Sequence, residues 1–337
     1  MTEVEEPTPP HALTVVAPAG IPEIDEGADL VGLLLAALDP IDGDIVVVTS
    51  KVVAKQEGRV RTGDRSAAVA EETARVVARR GSTSIVRNRL GVTLAAAGVD
   101  ASNVEHGRIV LLPVDPDASA RRLRAEVWRR AGVNVGVVIT DTLGRAWRVG
   151  QTDQAVGAAG VRVIESFAGQ VDPYGNPLAV TAPAVADELA GAAELTQGKL
   201  SGRPIALVRG RADLVLPVDE DGPGATALVR EPAGDLFGYG AREAVIRALA
   251  GVDADRVGFG ASVSPDELID ALVRVLGPDA VVRDDRSVDD EPADGEGVAA
   301  VGVTGPADTV AALAFAHGWA VQPDRGSDSW LLAPLPD

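Results

Sequence analysis

No cysteine occurs among the 337 residues, which excludes a disulfide framework, a thiolate metal site and a cysteine nucleophile. Histidine is nearly as scarce. His11, His106 and His317 lie far apart, which argues against a zinc site or a histidine-based triad. No apolar run approaches the ~20 residues that span a bilayer. The opening MTEVEEPTPPH is acidic and proline-rich where a secretory signal is basic and then apolar, so a cytoplasmic protein is expected. A G-x-x-x-x-G-K-[ST] phosphate loop is missing, and so is a G-x-S-x-G nucleophile elbow. Positive charge is short as well. Thirty-one basic residues face 50 acidic ones, a formal charge of -19. Such a field repels nucleic acid and anionic lipid, so neither is expected as a partner.

The scarcest basic residue is lysine. Only Lys51, Lys55 and Lys199 are lysines; every other cation is arginine. A genome of high GC content accounts for the bias, yet two of the three lysines stand four residues apart. Lysine offers a compact, mobile ammonium where arginine offers a planar fork, a choice that hints at a phosphate.

What is present is enough for a sizeable core. Apolar residues make up 46% of the chain, and its length suits two domains or one large domain with an appendage. Leu30–Leu38 reads as a helix, Asp44–Thr49 as a buried strand, and Arg65–Arg80 as a helix stopped by Gly81. Asp117 or Ser119 is expected to cap the arginine-studded helix that ends at Gly132. Val133–Thr140 reads as a buried strand ending on Asp141. A helix from Pro183 to about Gln197 and a strand PIALVRG follow. Strands and helices mix without strict alternation, so the fold class expected is α/β (mixed α+β), a mixed-sheet domain with a small C-terminal α+β appendage. The expected boundaries are a flexible N-terminus over 1–12, a catalytic domain over 13–248 and the small domain over 249–337. In the last, Ser264 caps a helix with Glu267 three residues on and Gly277 as its stop. The acidic stretch Asp284 to Gly297 reads as a mobile loop.

Three constellations carry candidate chemistry. In TSKVVAKQEG, Ser50 sits where a strand stops and Lys51 and Lys55 share one helical face. An anion at that helix start would be welcome, although solvated surface lysines account for the pair equally well. In AGVDASNV, Asp100 and Asn103 suit a ligand site, and a plain turn better still. In GVVITDTLGRAWRVGQTD, Asp141 beside the Thr142 hydroxyl suits a hard cation holding phosphate oxygens. Arg145 and Arg148 could clamp anionic groups there.

Taken together, GIPEI, TSKVVAKQEGR, AGVDASNV, VVITDTLGRAWRVGQTDQAVGAAG and AVADELAGAAELTQGK, in this order, resemble the coenzyme F420-0:L-glutamate ligase family over about residues 20–240. The resemblance implies GTP-driven addition of L-glutamate to coenzyme F420-0, then extension of a γ-linked glutamate tail. It implies an acyl-phosphate intermediate, Mg²⁺ or Mn²⁺, stimulation by K⁺, and a homodimer. By motif it places Gly20, Ile21, Pro22, Glu23, Ser50, Lys55 and Asn103 at the nucleotide, and Asp100, Asp141 and Thr142 at the metal. Two positions depart from the pattern. Val149 stands where asparagine is expected in many relatives. Lys199 follows TQG where some archaeal relatives carry a carboxylate or amide near the metals. Fewer than a hundred residues follow Gly251, too few for the FMN-binding nitroreductase-like domain of two-domain relatives, so no FMN is expected. The alternatives are a nucleotide-binding regulatory protein that has lost turnover, and an amide ligase with another acyl substrate.

Overall fold

Ile45–Thr49 carries five β-branched side chains in a row, and the first four are shut off from solvent. A run of that kind needs cover on both faces. It has both, in the computed structural model, which describes residues 12–102, 104–284, 300–324 and 329–335. The expected N-terminal lead, Asn103 and the acidic loop up to Gly297 fall outside the described residues wholly or in all but an end residue.

The first unit, which ends at Val229, runs β1 (Thr14–Val16), α1 (Leu30–Ala37), β2 (Ile45–Thr49), α2 (Ser50–Gln56), β3 (Val60–Thr62), α3 (Arg65–Glu72), β4 (Thr73–Arg80) and β5 (Thr83–Asn88). It continues through β6 (Thr93–Ala95), β7 (Arg108–Val110), α4 (Pro116–Ala131), β8 (Gly136–Arg145) and β9 (Arg148–Ala159). The short strands β10 (Gln170–Val171) and β11 (Pro177–Leu178), then α5 (Val185–Gln197) and β12 (Ile205–Arg209), complete it. Its main sheet has the order β1-β12-β2-β8-β9, with β2 central. Only the β2–β8 junction is parallel; the others are antiparallel. This is the mixed sheet expected.

Side chains alternate faces along a strand, and β2 shows it. Val46 and Val48 join one apolar cluster with Leu30 and Leu34 of α1 and Val127 of α4. Ile45 and Val47 join another with Val185 and Leu189 of α5. A smaller cluster built on Ala68, Val86, Ile109 and Leu111 holds α3 to the outlying strands.

Three expectations are corrected. Arg65–Arg80 is not one helix: α3 ends at Glu72, and β4 returns through Gly81, at φ 59°, to pair with β5. Thr73, Val76 and Val77 are β-branched, and a two-residue loop with a positive-φ glycine is hairpin chemistry. The cap of α4 is Asp115, which accepts from the Ala118 amide at 2.8 Å. Asp117 instead faces inward and accepts from the amides of Ala158 and Ala225. Finally, β8 does not end on Asp141. It continues to Arg145 and folds over Ala146–Trp147 into β9, with Thr142 opposite Asp153.

The second unit begins at Arg230, ahead of the 248/249 boundary expected. The reason is α6 (Ala241–Ala250), whose Arg247 lies over the Tyr239 ring and pairs with Asp255. Tyr239 stacks edge-on with Phe259, and Phe259 with Phe315. The unit continues with α7 (Pro265–Leu276), β13 (Val281–Asp284), β14 (Ala300–Thr304), α8 (Ala307–Ala316), β15 (Trp319–Pro323) and β16 (Ser329–Pro334). Its antiparallel sheet, β13-β14-β16-β15, packs through Val301, Val303, Trp319 and Leu332 on Leu268 and Leu272 of α7 and Val310 of α8. Ser264 caps α7 as expected, accepting from the Glu267 amide at 3.3 Å. Among the described residues no helix is long and apolar enough to cross a membrane.

Candidate active site

The carboxyl end of a strand in an open sheet delivers side chains to a crevice. Strand β2 ends beside the middle of β8, with Thr49 opposite Thr140, so Ser50 and Asp141 emerge together. A cleft of about 610 Å³ opens there. Five segments distant in sequence meet in it: Ile21–Ile24, Thr49–Lys55, Leu94–Ser102, Thr140–Gly144 and Glu194–Pro204.

Most of the polar groups have a defined partner; the Gln197 side-chain amide and Arg203 Nε, both buried in the lining, have none among the described residues. The Ser50 hydroxyl donates to Asp141 Oδ1 at 3.2 Å. Lys51 Nζ donates to Asp100 Oδ2 at 2.6 Å and to the Ser102 hydroxyl at 2.8 Å. Lys55, largely buried, donates to Glu23. Across the hairpin, Thr142 Oγ1 donates to Asp153 Oδ1 at 2.7 Å and Thr140 Oγ1 to Oδ2 at 3.1 Å. Lys199 donates to the Thr142 hydroxyl. The helix α2 spans seven residues with Lys55 in its last turn, so only Lys51 stands at the helix start.

The carboxylates are driven in opposite directions. Burial raises Asp141 to about 6, helped by the charges of Asp153 and Asp100 and opposed by hydrogen bonds from the Thr142 amide and Ser50. Burial also works against ionised Asp100, but the Lys51 ammonium and both Ser102 groups outweigh it and hold Asp100 down at about 2. Burial and Asp153 push Glu194 upward while Lys199 opposes them. Counted over the whole lining, Glu23, Asp100, Asp141, Asp153 and Glu194 face Lys51, Lys55, Lys199, Arg65 and Arg203. The cleft is formally neutral in a strongly acidic chain.

Among the described residues no group of three or more histidine, aspartate or glutamate side chains is already arranged around a metal position. The donor chemistry nevertheless suits a hard divalent ion: two carboxylates and a hydroxyl, all oxygen. Asp141 in particular is crowded by like charge, which a cation relieves. Lys51 and Lys199 occupy Asp100 and Thr142 in this arrangement.

Of the residues singled out from sequence, Ile21, Pro22, Glu23, Ser50, Lys51, Lys55, Asp100, Asp141 and Thr142 line the cleft. Gly20 adjoins it, at φ 82°. Asn103 is outside the described residues. Arg145 and Arg148 do not line the cleft. They are exposed near the turn of the β8–β9 hairpin, where Arg145 reaches only the Gly150 carbonyl at 3.4 Å. Val149, fully exposed beside them, is also outside the cleft. The sequence reading missed Asp153, Glu194, Gln197 and Arg203. Asp153 was visible in the motif, but its place opposite Thr142 depends on a hairpin register that no local pattern announces.

A family model described as F420-0:Gamma-glutamyl ligase matches residues 19–210. Curated relatives named coenzyme F420:L-glutamate ligase agree. That of Archaeoglobus fulgidus is 38% identical, over 57% of this chain and 85% of its own length. That of Methanopyrus kandleri is 37% identical, over 64% and 93%. That of Methanosarcina acetivorans is 36% identical, over 58% and 85%. The matched span of the family model contains all five segments of the cleft.

Proposed function

The chain belongs to the F420-0:gamma-glutamyl ligase family, and from that premise we propose that it joins L-glutamate to coenzyme F420-0 with GTP as the energy source and then extends the γ-linked tail. It is a ligase of coenzyme F420 biosynthesis. The observation that carries the finer reading is the convergence of Glu23, Ser50, Lys55, Asp100, Asp141 and Thr142 in one cleft.

In the proposed first step, a carboxylate oxygen of F420-0 attacks the γ-phosphorus. The bond to the β–γ bridging oxygen breaks, and GDP leaves with that electron pair. In the second, the neutral amine of glutamate attacks the acyl carbon of the mixed anhydride, inorganic phosphate departs and the nitrogen loses a proton. Neither step needs a protein nucleophile. The protein's task is to position reactants and balance charge. Lys55 and Ser50 suit the nucleotide phosphates. Asp100, Asp141 and Thr142 would hold Mg²⁺ or Mn²⁺, which when bound neutralises phosphate charge. Holding it would require Lys51 to release Asp100. Stimulation by K⁺ and a homodimer belong to the same reading.

The test is mass spectrometry of F420-0 incubated with protein, GTP, Mg²⁺ and L-glutamate. The expected products are F420-0 enlarged by one or more glutamate residues, together with GDP and phosphate. An unchanged F420-0 mass with GTP intact overturns the reading.

A further inference from the structure

Three lysines are the chain's full complement, and all three line one cleft. Composition bias explains why lysine is rare; it does not explain why the survivors gather in one place. Each ammonium has a different acceptor. Lys51 faces Asp100 and Lys55 faces Glu23, both carboxylates. Lys199 donates to a neutral hydroxyl, that of Thr142, and is in none of the described ion pairs. Glu194 feels its charge, but among the described residues no carboxylate pairs with it directly.

Position adds to this. Lys199 follows Gly198, the glycine at φ 62° that closes α5. It is exposed, so its four-carbon stem can swing. Behind its acceptor, Asp153 is 3% exposed and takes hydrogen bonds from both Thr140 and Thr142. That pairing locks the Thr142 hydroxyl and leaves the ammonium as the movable element on this wall. A compact ammonium can also enter between crowded oxygens where a planar guanidinium would not fit.

We propose that Lys199 is a catalytic residue of the transfer step: its ammonium leaves Thr142 and donates to a non-bridging oxygen of the γ-phosphoryl group as that group passes from nucleotide to carboxylate. Lys199 keeps its protons throughout and contributes charge alone. The inference rests on the ligase reading above. It assigns a role to the third lysine of the cleft.

The experiment compares the full chain with Lys199→Ala and Lys199→Arg for glutamate addition, nucleotide Kd and thermal unfolding. An exposed lysine should be replaceable without loss of fold. Lys199→Ala is expected to lower kcat by about 10²-fold, as for removal of one donor aimed at transition-state charge, with nucleotide Kd within about threefold. Added methylammonium should restore part of that kcat, an effect that a merely structural lysine would not give. Lys199→Arg should lie between alanine and parent. A kcat for Lys199→Ala within about threefold of parent overturns the proposal, as does a loss confined to nucleotide affinity. A parent that adds no glutamate overturns the ligase reading too; an active parent with an unaffected alanine variant overturns the role of Lys199 alone.

Discussion

Asp141 and Asp100 occupy one cleft yet respond to pH with opposite signs. The pKa of Asp141 is raised to about 6, so in the metal-free protein the folded state binds more protons than the unfolded chain between about pH 4 and 6. Its contribution is complete below the unfolded value and is lost as pH rises through 6. Asp100, lowered to about 2, contributes above the unfolded value and loses that contribution as pH falls towards 2. Asp141→Asn should therefore gain stability relative to the parent as pH rises from 4 to 7, measured by urea unfolding in chelator. A constant difference across that range would remove the buried-charge account. The same variant should abolish glutamate addition, since it takes a negative charge from the proposed metal position; near-normal turnover with unchanged metal dependence would exclude Asp141 as a ligand. Lys55→Ala should weaken GTP binding by about one to two orders of magnitude, as expected for one charge-assisted contact of ~1.5–3 kcal/mol. Calorimetric titration giving equal affinities would return Lys55 to a purely structural pairing with Glu23.

Elements whose signal is local were legible: the β-branched run of β2, and α7 with Ser264 before it and Gly277 after it. Arg65–Arg80 was not, because alanine, valine and arginine suit a helix nearly as well as a strand, and pairing with β5 decides the matter for Thr73 onward. The site divides in the same way. Ser50, Lys55, Asp100 and Asp141 stand in or beside segments recognisable from their local pattern. Asp153 and Glu194 reach the cleft through a hairpin register and a helix packing that only the folded sheet supplies. Asp117 is the clearest case. A residue near the start of α4 suggests a cap, yet its carboxylate ties the helix to β9 and to the Gly224–Thr226 turn, accepting from Ala158 N, Ala225 N and Thr226 Oγ1 at 2.6–2.8 Å. The approach is close enough that a Cβ on Gly157 would stand 2.5 Å from the Pro116 carbonyl. Asp117→Ala would leave buried donors unpaired and should cost about 3 kcal/mol; Asp117→Asn, which keeps one acceptor, should cost less. Urea midpoints equal to the parent's would show that the tie contributes nothing.

The whole chain divides where α6 begins to find its partners, and this changes where it can be cut. A fragment ending at Val229 keeps every segment of the cleft and should remain soluble and add glutamate. A fragment ending at Ala250 carries α6 without Asp255, Phe259 or α8, and should aggregate more readily by light scattering. Equal behaviour of the two would contradict the division at Val229, and a folded but inactive shorter fragment would make the second unit part of the chemistry. The full chain should show no flavin absorbance on purification; copurifying FMN would overturn that expectation.

A neutral cleft set in a molecule of charge -19 has a kinetic consequence. Nucleotide, F420-0 and glutamate are all anions and approach against the field of the whole chain before they meet the balanced charges inside. At about 0.01 M ionic strength the screening length is ~30 Å and that repulsion reaches far into solution; at about 0.15 M it shrinks to ~8 Å. Added salt should then speed capture rather than slow it. With potassium held fixed and sodium chloride varied, kcat/KM is expected to climb over that range. A steady fall instead would mean that positive potential at the mouth of the cleft, and not net charge, governs the encounter.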